Sequence, residues 1–424
     1  MTYQEAANFL SGLTETRIKP GLERITRVLK VLGHPESAYP QIVIGGTNGK
    51  GSTAAFACSI LEAAGYRTGL YTSPHLRNFE ERIRVGGRLL SSEEFASLVA
   101  DIRDTDVDLS YFEFATAMAL LHFSRSGIDI ALLEVGLGGR WDATNAVDPL
   151  VSVVTGVAMD HGDWLGETLE QVALEKTQIL RPGKPGIFGK IPPEVKETVL
   201  GEARSIGARI RLLGEDYHLA PAGDKLVYTG SRWSIDGLEP GLKGPFQLSN
   251  AACALAAIES LEESGFHIPT FAVRKGLAEV AWPGRFHVVR ESPRLIVDSA
   301  HNPDAVGALV NALEGCEKPL VWLFSALEDK DIRGMAELMG NRGGTVFLVE
   351  LDHPRAASVD RLAETFSGTG LEYFTESSIF SGMENAVAKA GAGGTVVVAG
   401  SVYLAGSVLG FLDKYPDVHP EGPA

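Results

Sequence analysis

The chain is 424 residues long and carries 38 Lys and Arg against 54 Asp and Glu, a formal net charge of −16; that length exceeds what one core usually serves, so two domains are expected. With 45% hydrophobic and 22% charged residues a largely disordered or collagen-like chain is excluded, and the negative balance argues against nucleic-acid and anionic-membrane partners, because counterion release needs a basic face. Three cysteines without a C-x-x-C pair suggest neither a disulfide framework nor a zinc site and point to a reducing, cytoplasmic setting, while 48 glycines, about 11% against a typical ~7%, ask for turns that approach ligands closely.

The N-terminus, MTYQEAANFLSGLTETRIKP, has acidic residues and no apolar run, so it does not read as a secretory signal. Residues 41–45 predict a strand, followed by a glycine-rich loop and an Ala-rich helix over 52–64 that Gly65 would end. Apolar runs at 68–71, 128–135 and 150–158 predict further strands. The first of these leads into Ser73, the second carries Glu134 near its end and runs into Gly136, Gly138 and Gly139, and the third leads into Met159-Asp160-His161. A helix is expected over 168–180. Continuous apolar strands alternating with helices indicate a parallel sheet covered on both faces. From about 209 to 244 short alternating runs, with turn signals at Ala222-Gly223-Asp224 and Asp236-Gly237, predict an antiparallel patch. Helices near 250–264 and 270–281 complete the domain.

Trp282-Pro283-Gly284-Arg285 marks the boundary, since a Pro-Gly pair ends the preceding helix. The expected division is 1–282, a linker at 283–286, and 287–424 with strands at 295–297, 320–324, 345–349 and 395–398. Residues 390–412 carry no charge and are long enough to span a bilayer, but six glycines and two serines break them into a strand, a Gly400-Ser401 turn and a helix. The fold class is therefore α/β. A large N-terminal doubly wound, mostly parallel sheet domain with a small antiparallel patch precedes a smaller, Rossmann-like C-terminal α/β domain.

The sharpest motif is Gly46-Thr47-Asn48-Gly49-Lys50-Gly51-Ser52-Thr53 between strand and helix. Glycines let backbone N–H groups curl around a phosphate, the helix N-terminus adds positive dipole, and lysine supplies a mobile charge. It is a shortened variant, with Ile at position 44 and Gly51 between Lys50 and the hydroxyls; the bland alternative is a glycine turn with an exposed lysine. Ser73, Glu134 and His161 each follow or end a strand, and in doubly wound sheets ligands bind at the carboxyl ends of strands. Together they could hold a divalent cation bridging nucleotide phosphates. Read singly, Ser73 is equally a turn former before Pro74, Glu134 an ion-pair carboxylate and His161 a satisfied side chain. In the second domain Asp298-Ser299-Ala300-His301-Asn302-Pro303 again closes a strand with polar groups, as suited to turns and caps as to ribose or phosphate.

GTNGKGST, LLEVGLGGRWDATNAV, MDHGDWLG followed by EKTQIL, WPGRF and VDSAHNPDA together resemble the folylpolyglutamate synthase and dihydrofolate synthase family of the Mur ligase superfamily, from about residue 19 to 403. The resemblance implies an ATP-dependent ligase that joins L-glutamate to dihydropteroate, to folates or to both, through an acyl phosphate, releasing ADP and phosphate. It implies that Asn48, Gly49, Lys50, Gly51 and Ser52 hold ATP, with Asn250 on the adenine side, Arg285 at phosphate and Asp298 at ribose. Ser73, Glu134 and His161 would be magnesium ligands. A monovalent cation and carbamylation of Lys176, which would help position a second metal, also come with the family; the residue pattern alone makes Lys176 an exposed helix residue paired with neighbouring acids. His301 and Ser401 would receive glutamate, with Lys50, Lys176 and His301 catalytic, and Tyr111, Phe112, Glu113, Trp141, Asp142 and Ala143 would line the pterin pocket.

One departure stands in Lys19-Pro20-Gly21-Leu22-Glu23-Arg24, where some bifunctional members carry an acidic residue in place of Lys19. The bifunctional enzyme is the expectation, with a monofunctional folylpolyglutamate synthase, a peptidoglycan Mur-type ligase and a regulatory P-loop ATPase as rivals. The Mur-type ligase would need an N-terminal substrate domain, and only about 40 residues precede the phosphate loop. Small molecules are the expected partners, without nucleic acid or membrane, for a monomer.

Overall fold

The computed structural model describes residues 1–13, 20–160 and 165–414, so Lys19 and His161 lie outside the described residues. The chain falls into two compact units, Met1–Gly241 with Gln247–Ala281, and Leu242–Phe246 with the chain from Trp282 on.

In the first unit β1 (Gln41–Gly45), β2 (Thr68–Tyr71), β3 (Ile83–Val85), β4 (Arg88–Leu89), β5 (Ile130–Glu134), β6 (Val151–Gly156), β7 (Pro185–Lys190) and β8 (Arg209–Leu212) form one sheet, ordered β4-β3-β2-β5-β1-β6-β7-β8. Strands β2, β5, β1, β6, β7 and β8 run parallel, and β3 and β4 add an antiparallel edge. Every residue of β1, β2 and β5 is buried, as expected of parallel strands covered on both faces. The helix Lys50–Ala63 packs against Gln247–Leu261 and Thr270–Glu279, and Gly276 has no room for a Cβ against the Ile60 backbone.

The antiparallel patch is smaller than the sequence predicts. Arg209–Leu212 belongs to the main sheet, parallel to β7, because the helix Pro193–Ile206 ends at the left-handed Gly207 and returns the chain as a βαβ crossover. The separate sheet is β9 (His218–Ala222), β10 (Lys225–Thr229) and β11 (Ser234–Leu238), with Gly223-Asp224 as its two-residue hairpin loop. Asp236-Gly237 is not a turn but a bulge inside β11, where the register to β10 shifts and Gly237 takes φ +67°. Glu259, fully buried on the helix Gln247–Leu261, ties this sheet down. It accepts from Arg232 N (2.6 Å), Trp233 N (2.7 Å) and Tyr228 Oη (3.0 Å) and pairs with Arg211 of β8.

In the second unit β12 (His287–Glu291), β13 (Arg294–Val297), β14 (Leu320–Phe324), β15 (Thr345–Leu348), β16 (Glu372–Thr375) and β17 (Thr395–Ala399) are ordered β12-β13-β17-β14-β15-β16, with β12 antiparallel and the rest parallel. Residues 283–286 are not a loose linker: Gly284 O accepts from Ser299 N (2.9 Å) and Phe286 N donates to Asp298 Oδ2 (2.6 Å). Residues 390–412 resolve into the end of a helix, β17, the Gly400 turn and the helix Val402–Lys414, and among the described residues no helix is long and apolar enough to cross a membrane.

Candidate active site

The loop after β1 is tightly pinned. Gly46 and Gly49 have φ +129° and +85°, values that favour glycine, and a Cβ at Gly46 would strike Thr155 while one at Gly49 would strike the Asn250 amide. The loop is pinned to the end of β6: Thr47 N donates to Gly156 O (3.0 Å), Thr47 Oγ1 to Ala158 O (2.9 Å), and Thr155 Oγ1 to Asn48 O (2.6 Å). Lys50 is half-buried, and its Nζ donates to Gly46 O and Thr47 O, both 3.0 Å away. It thus curls over the loop rather than extending into solvent, and the reading of an exposed lysine fails. Ser52 is buried in the first turn of the helix.

Asn250 lies behind the loop, its Nδ2 donating to Gln247 Oε1 at 2.8 Å. Gln247 Nε2 is buried without a hydrogen-bond partner among the described residues, an unmet donor of the kind a bound ligand satisfies. Sequence reasoning missed both Gln247 and Thr155. Each is a polar residue inside or beside an apolar element, and only that contrast could have pointed to them.

Two of the three strand-end residues meet. Glu134, buried at the tip of β5, accepts from Ser73 N at 3.0 Å, which sets Ser73 and the carboxylate side by side at the carboxyl ends of β2 and β5. Oxygen donors of this kind suit a hard divalent cation. The third expected ligand, His161, is outside the described residues, and among those described there is no group of three or more His, Cys, Asp or Glu able to hold a metal.

Lys176 is not the exposed helix residue its pattern suggests. It is 3% exposed on the helix Leu169–Thr177, because Gly139, where a Cβ would meet the Glu175 carbonyl, lets the loop after β5 press onto that helix. Burial, with the Lys50 charge in support and Asp160 opposing, lowers its pKa to about 7.

The expected pterin-lining residues divide. Tyr111 and Phe112 belong to an aromatic cluster, with the Phe112 ring 6.0 Å from Tyr71 and covering Gly136, and the Arg82 guanidinium 5.3 Å from the Tyr111 ring centroid. Arg82 also donates to His75 Nδ1 (2.8 Å), and burial together with that charge pushes the His75 pKa down to about 3, so the ring stays neutral. Glu113 and Asp142, by contrast, build the scaffold. Glu113 closes a capping box with Ser110 at the start of the helix Tyr111–Ser126, and Arg24 Nε lies 3.1 Å from both its oxygens. Asp142 accepts from Gly136 N (3.0 Å), Leu137 N (2.9 Å), Thr144 N (3.0 Å) and Thr144 Oγ1 (2.6 Å), which folds the glycine loop after β5. Trp141 is 52% exposed and Ala143 buried.

In the second unit Asp298, buried at the tip of β13, accepts from Phe286 N and Ala300 N (2.8 Å), holding Phe286 at φ +45° next to Arg285. Burial raises its pKa, opposed by the Arg285 charge. His301 Nδ1 lies 2.9 Å from Ser299 O, so Nδ1 carries the proton and Nε2 is the basic nitrogen. Ser401 caps the helix Val402–Lys414, with Oγ accepting from Tyr403 N at 3.1 Å, and Gly400 N donates to Ala300 O at 2.7 Å, which sets the Gly400-Ser401 turn beside His301.

Residues 44–258 match the Mur ligase middle domain and residues 284–402 the Mur ligase, glutamate ligase domain. The chain is similar to the dihydrofolate synthase/folylpolyglutamate synthase of Escherichia coli (strain K12), 36% identical over 96% of this chain and 94% of the relative. A solved structure of E. coli FolC in complex with DHPP and ADP superposes with a TM-score of 0.91 at 36% identity, covering 98% of this chain and 99% of that one. A bifunctional folylpolyglutamate synthase/dihydrofolate synthase with Mn, AMPPNP and L-glutamate bound superposes with a TM-score of 0.87 at 35% identity, over 96% of this chain and 98% of that one. The pinned glycine loop after β1, the paired Ser73 and Glu134, and these matches along nearly the whole chain agree: the chain belongs to the folylpolyglutamate synthase/dihydrofolate synthase family of the Mur ligase superfamily.

Proposed function

We propose that the chain is a bifunctional ATP-dependent ligase that joins L-glutamate to dihydropteroate and to folates through an acyl phosphate, releasing ADP and phosphate. The observation that carries it is the pinned phosphate loop with Lys50 folded over it, beside the Ser73–Glu134 pair on the neighbouring strand ends. The names of similar proteins support the two acceptors.

A substrate carboxylate attacks the γ-phosphate, and the amine of glutamate then opens the acyl phosphate. Phosphoryl transfer asks the protein mainly for positioning and for cations against developing charge. Lys50 exchanges its two loop carbonyls for phosphate oxygens, and the amides of residues 48–51 at the helix N-terminus orient those oxygens. Asn250 and the unmet amide of Gln247 serve the base side, Arg285 and Asp298 the phosphate and ribose, and His301 and Ser401 the glutamate. Ser73 and Glu134, with His161, would hold magnesium, which supplies charge neutralisation on the phosphates. The aromatic cluster of Tyr111 and Phe112 offers a flat slot for the pterin, while Glu113 and Asp142 act by shaping that slot. Only small molecules are assigned as partners, to a monomer in the cytoplasm; the three unpaired cysteines support a reducing compartment.

Phosphate release measured with dihydropteroate, with tetrahydrofolate and with neither, each with and without glutamate, tests the reading. Release that needs glutamate and accepts both pteroates is expected; turnover indifferent to every acceptor would overturn it in favour of a regulatory ATPase, and tetrahydrofolate alone would leave a monofunctional synthase.

We also infer that Lys176 is carbamylated. An amine must be neutral to attack CO2, and a lysine whose pKa lies at about 7 is about half neutral at pH 7. Below pH 7 the ammonium dominates and both carbamate and activity should fall. The unmodified lysine also disfavours folding below its native pKa, and that penalty is relieved as pH rises toward about 10.4, since over that window the unfolded chain binds the extra proton. Protein equilibrated with 13C-bicarbonate should show a carbamate resonance that disappears in Lys176→Gln; a spectrum without it at pH 8 would remove the assignment.

A further inference from the structure

We propose that Arg181 and Asn145 are positioning residues for Lys176: together they clamp the loop after β5 onto the end of the helix Leu169–Thr177 and so keep the Lys176 amine out of water. The inference rests on the reading above that Lys176 works in the ligase site. The helix stops at Thr177, and Arg181 gathers the chain that follows it, with Nη1 donating to Ile179 O (3.1 Å) and Leu180 O (3.0 Å). The same guanidinium turns Nη2 toward the last part of the loop after β5, donating to Asn145 Oδ1 (2.8 Å), Asn145 O (3.0 Å) and Val147 O (2.9 Å). Asn145 makes the reverse connection. It is buried, and its Nδ2 donates to Arg140 O on the loop and to Gln178 O beyond the helix, each at 3.2 Å. Each of the two side chains therefore bonds both segments, and Ser152 Oγ of β6, donating to Ile179 O at 2.7 Å, fixes the pair to the sheet.

What this clamp holds in place is a contact with no side chain of its own. A Cβ at Gly139 would lie 2.5 Å from Glu175 O and 3.3 Å from Lys176 Cα, so the loop backbone rests directly on the helix at the residue before Lys176. An ammonium taken from water gains hydration whenever its cover lifts, so burial of Lys176 works against that contact and something else must oppose the opening. The ion pair of Arg140 with Glu175, 3.0 Å apart, crosses the same junction, but both partners are partly exposed and such pairs contribute little. The Arg181 bonds are charge-assisted and only 19% of that side chain is exposed. Its planar fork reaches carbonyls of both segments at once, which the single point charge of a lysine would not. Arg181 and Asn145 thus act through Lys176 and touch no reacting atom themselves.

The test measures the exposure of the amine directly. The full chain, in CO2-free buffer at pH 8 so that Lys176 carries no carbamate, is trace-labelled with acetic anhydride and the labelled lysines are read by mass spectrometry; phosphate release is followed on the same preparations once bicarbonate is restored. In Arg181→Ala, Lys176 should label at least about 10-fold faster than in the parent, the scale expected from losing hydrogen bonds to a charged group, while the exposed Lys275 labels as before. The kcat should fall by a similar factor with the KM for ATP nearly unchanged. Asn145→Ala, which keeps the guanidinium and carries the test should Arg181→Ala fail to fold, should show the same pattern to a smaller degree, and Arg181→Lys should recover only part of the loss. Lys184→Ala, which removes only a pair with the exposed Asp148 at 2.7 Å, should behave as the parent. Parental labelling of Lys176 in the folded variants, or faster labelling spread equally over all lysines, would overturn the clamp while leaving the ligase reading intact. A parent chain without glutamate-dependent phosphate release would overturn both.

Discussion

Lys50→Ala is expected to lower glutamate-dependent phosphate release by about 10³-fold or more, the scale seen when a preorganised group facing developing charge is removed. A loss of that size corresponds to roughly 4 kcal/mol of transition-state stabilisation. The ammonium already sits over the loop, 3.0 Å from Gly46 O and Thr47 O, so little reorganisation separates its resting position from a bound phosphate. The fold should persist. Thr53 N caps back to Gly49 O (2.9 Å) through main chain alone, the loop is held by Thr47 and Thr155, and alanine is at least as good a helix former as lysine. Rapid-quench or coupled phosphate assays give kcat, and circular dichroism checks the fold; near-parental turnover would sink the assignment of the loop.

Glu134→Gln should act through the cation instead. The carboxylate accepts from Ser73 N at 3.0 Å, and a glutamine oxygen can keep that bond, so the substitution removes one negative charge at nearly constant shape. Loss of a ligand should cost at least as much as the ~10–100-fold in metal affinity typical of outer-shell partners. The Mg2+ or Mn2+ concentration for half-maximal activity should therefore rise by about 100-fold, and the thermal stabilisation by Mn2+ with a nucleotide should shrink. Unchanged metal dependence would show that Glu134 is the structural acceptor its bland reading makes it. The two variants separate the roles: Lys50→Ala should not be rescued by added metal, and Glu134→Gln should be, in part.

The glycine-rich loop could be read locally because everything it needs is local. A strand, glycines in left-handed conformation and a helix start follow one another in sequence, and Gly49 at φ +85° is where such a turn demands glycine. The strand ends bearing Ser73, Glu134, Asp298 and His301 were legible for the same reason. What escaped were elements whose composition contradicts their place. β7, Pro185–Lys190, is absent from the predicted strands and holds a proline and two glycines, yet a Cβ at Gly189 would run into the Thr155 carbonyl and one at Gly186 into Leu180. Packing, not propensity, selects glycine there. Asp236-Gly237 carried the converse error, since a hairpin dipeptide and a bulge both ask for the same positive φ.

By itself the sequence determined the α/β class, the main strands along the chain, the glycine-rich loop between strand and helix and the polar residues at strand ends, since periodicity, turn chemistry and motif spacing are properties of neighbours in the chain. Tertiary structure alone decided how the acids and bases are used. Glu113 and Asp142 are engaged by caps and backbone amides, Glu134 is set against Ser73, Lys176 is taken out of water by the approach of Gly139, and Gln247 is left with an unmet donor. A side chain's chemistry depends on its hydration and on partners brought from elsewhere in the chain, and neither is encoded within its own stretch of sequence.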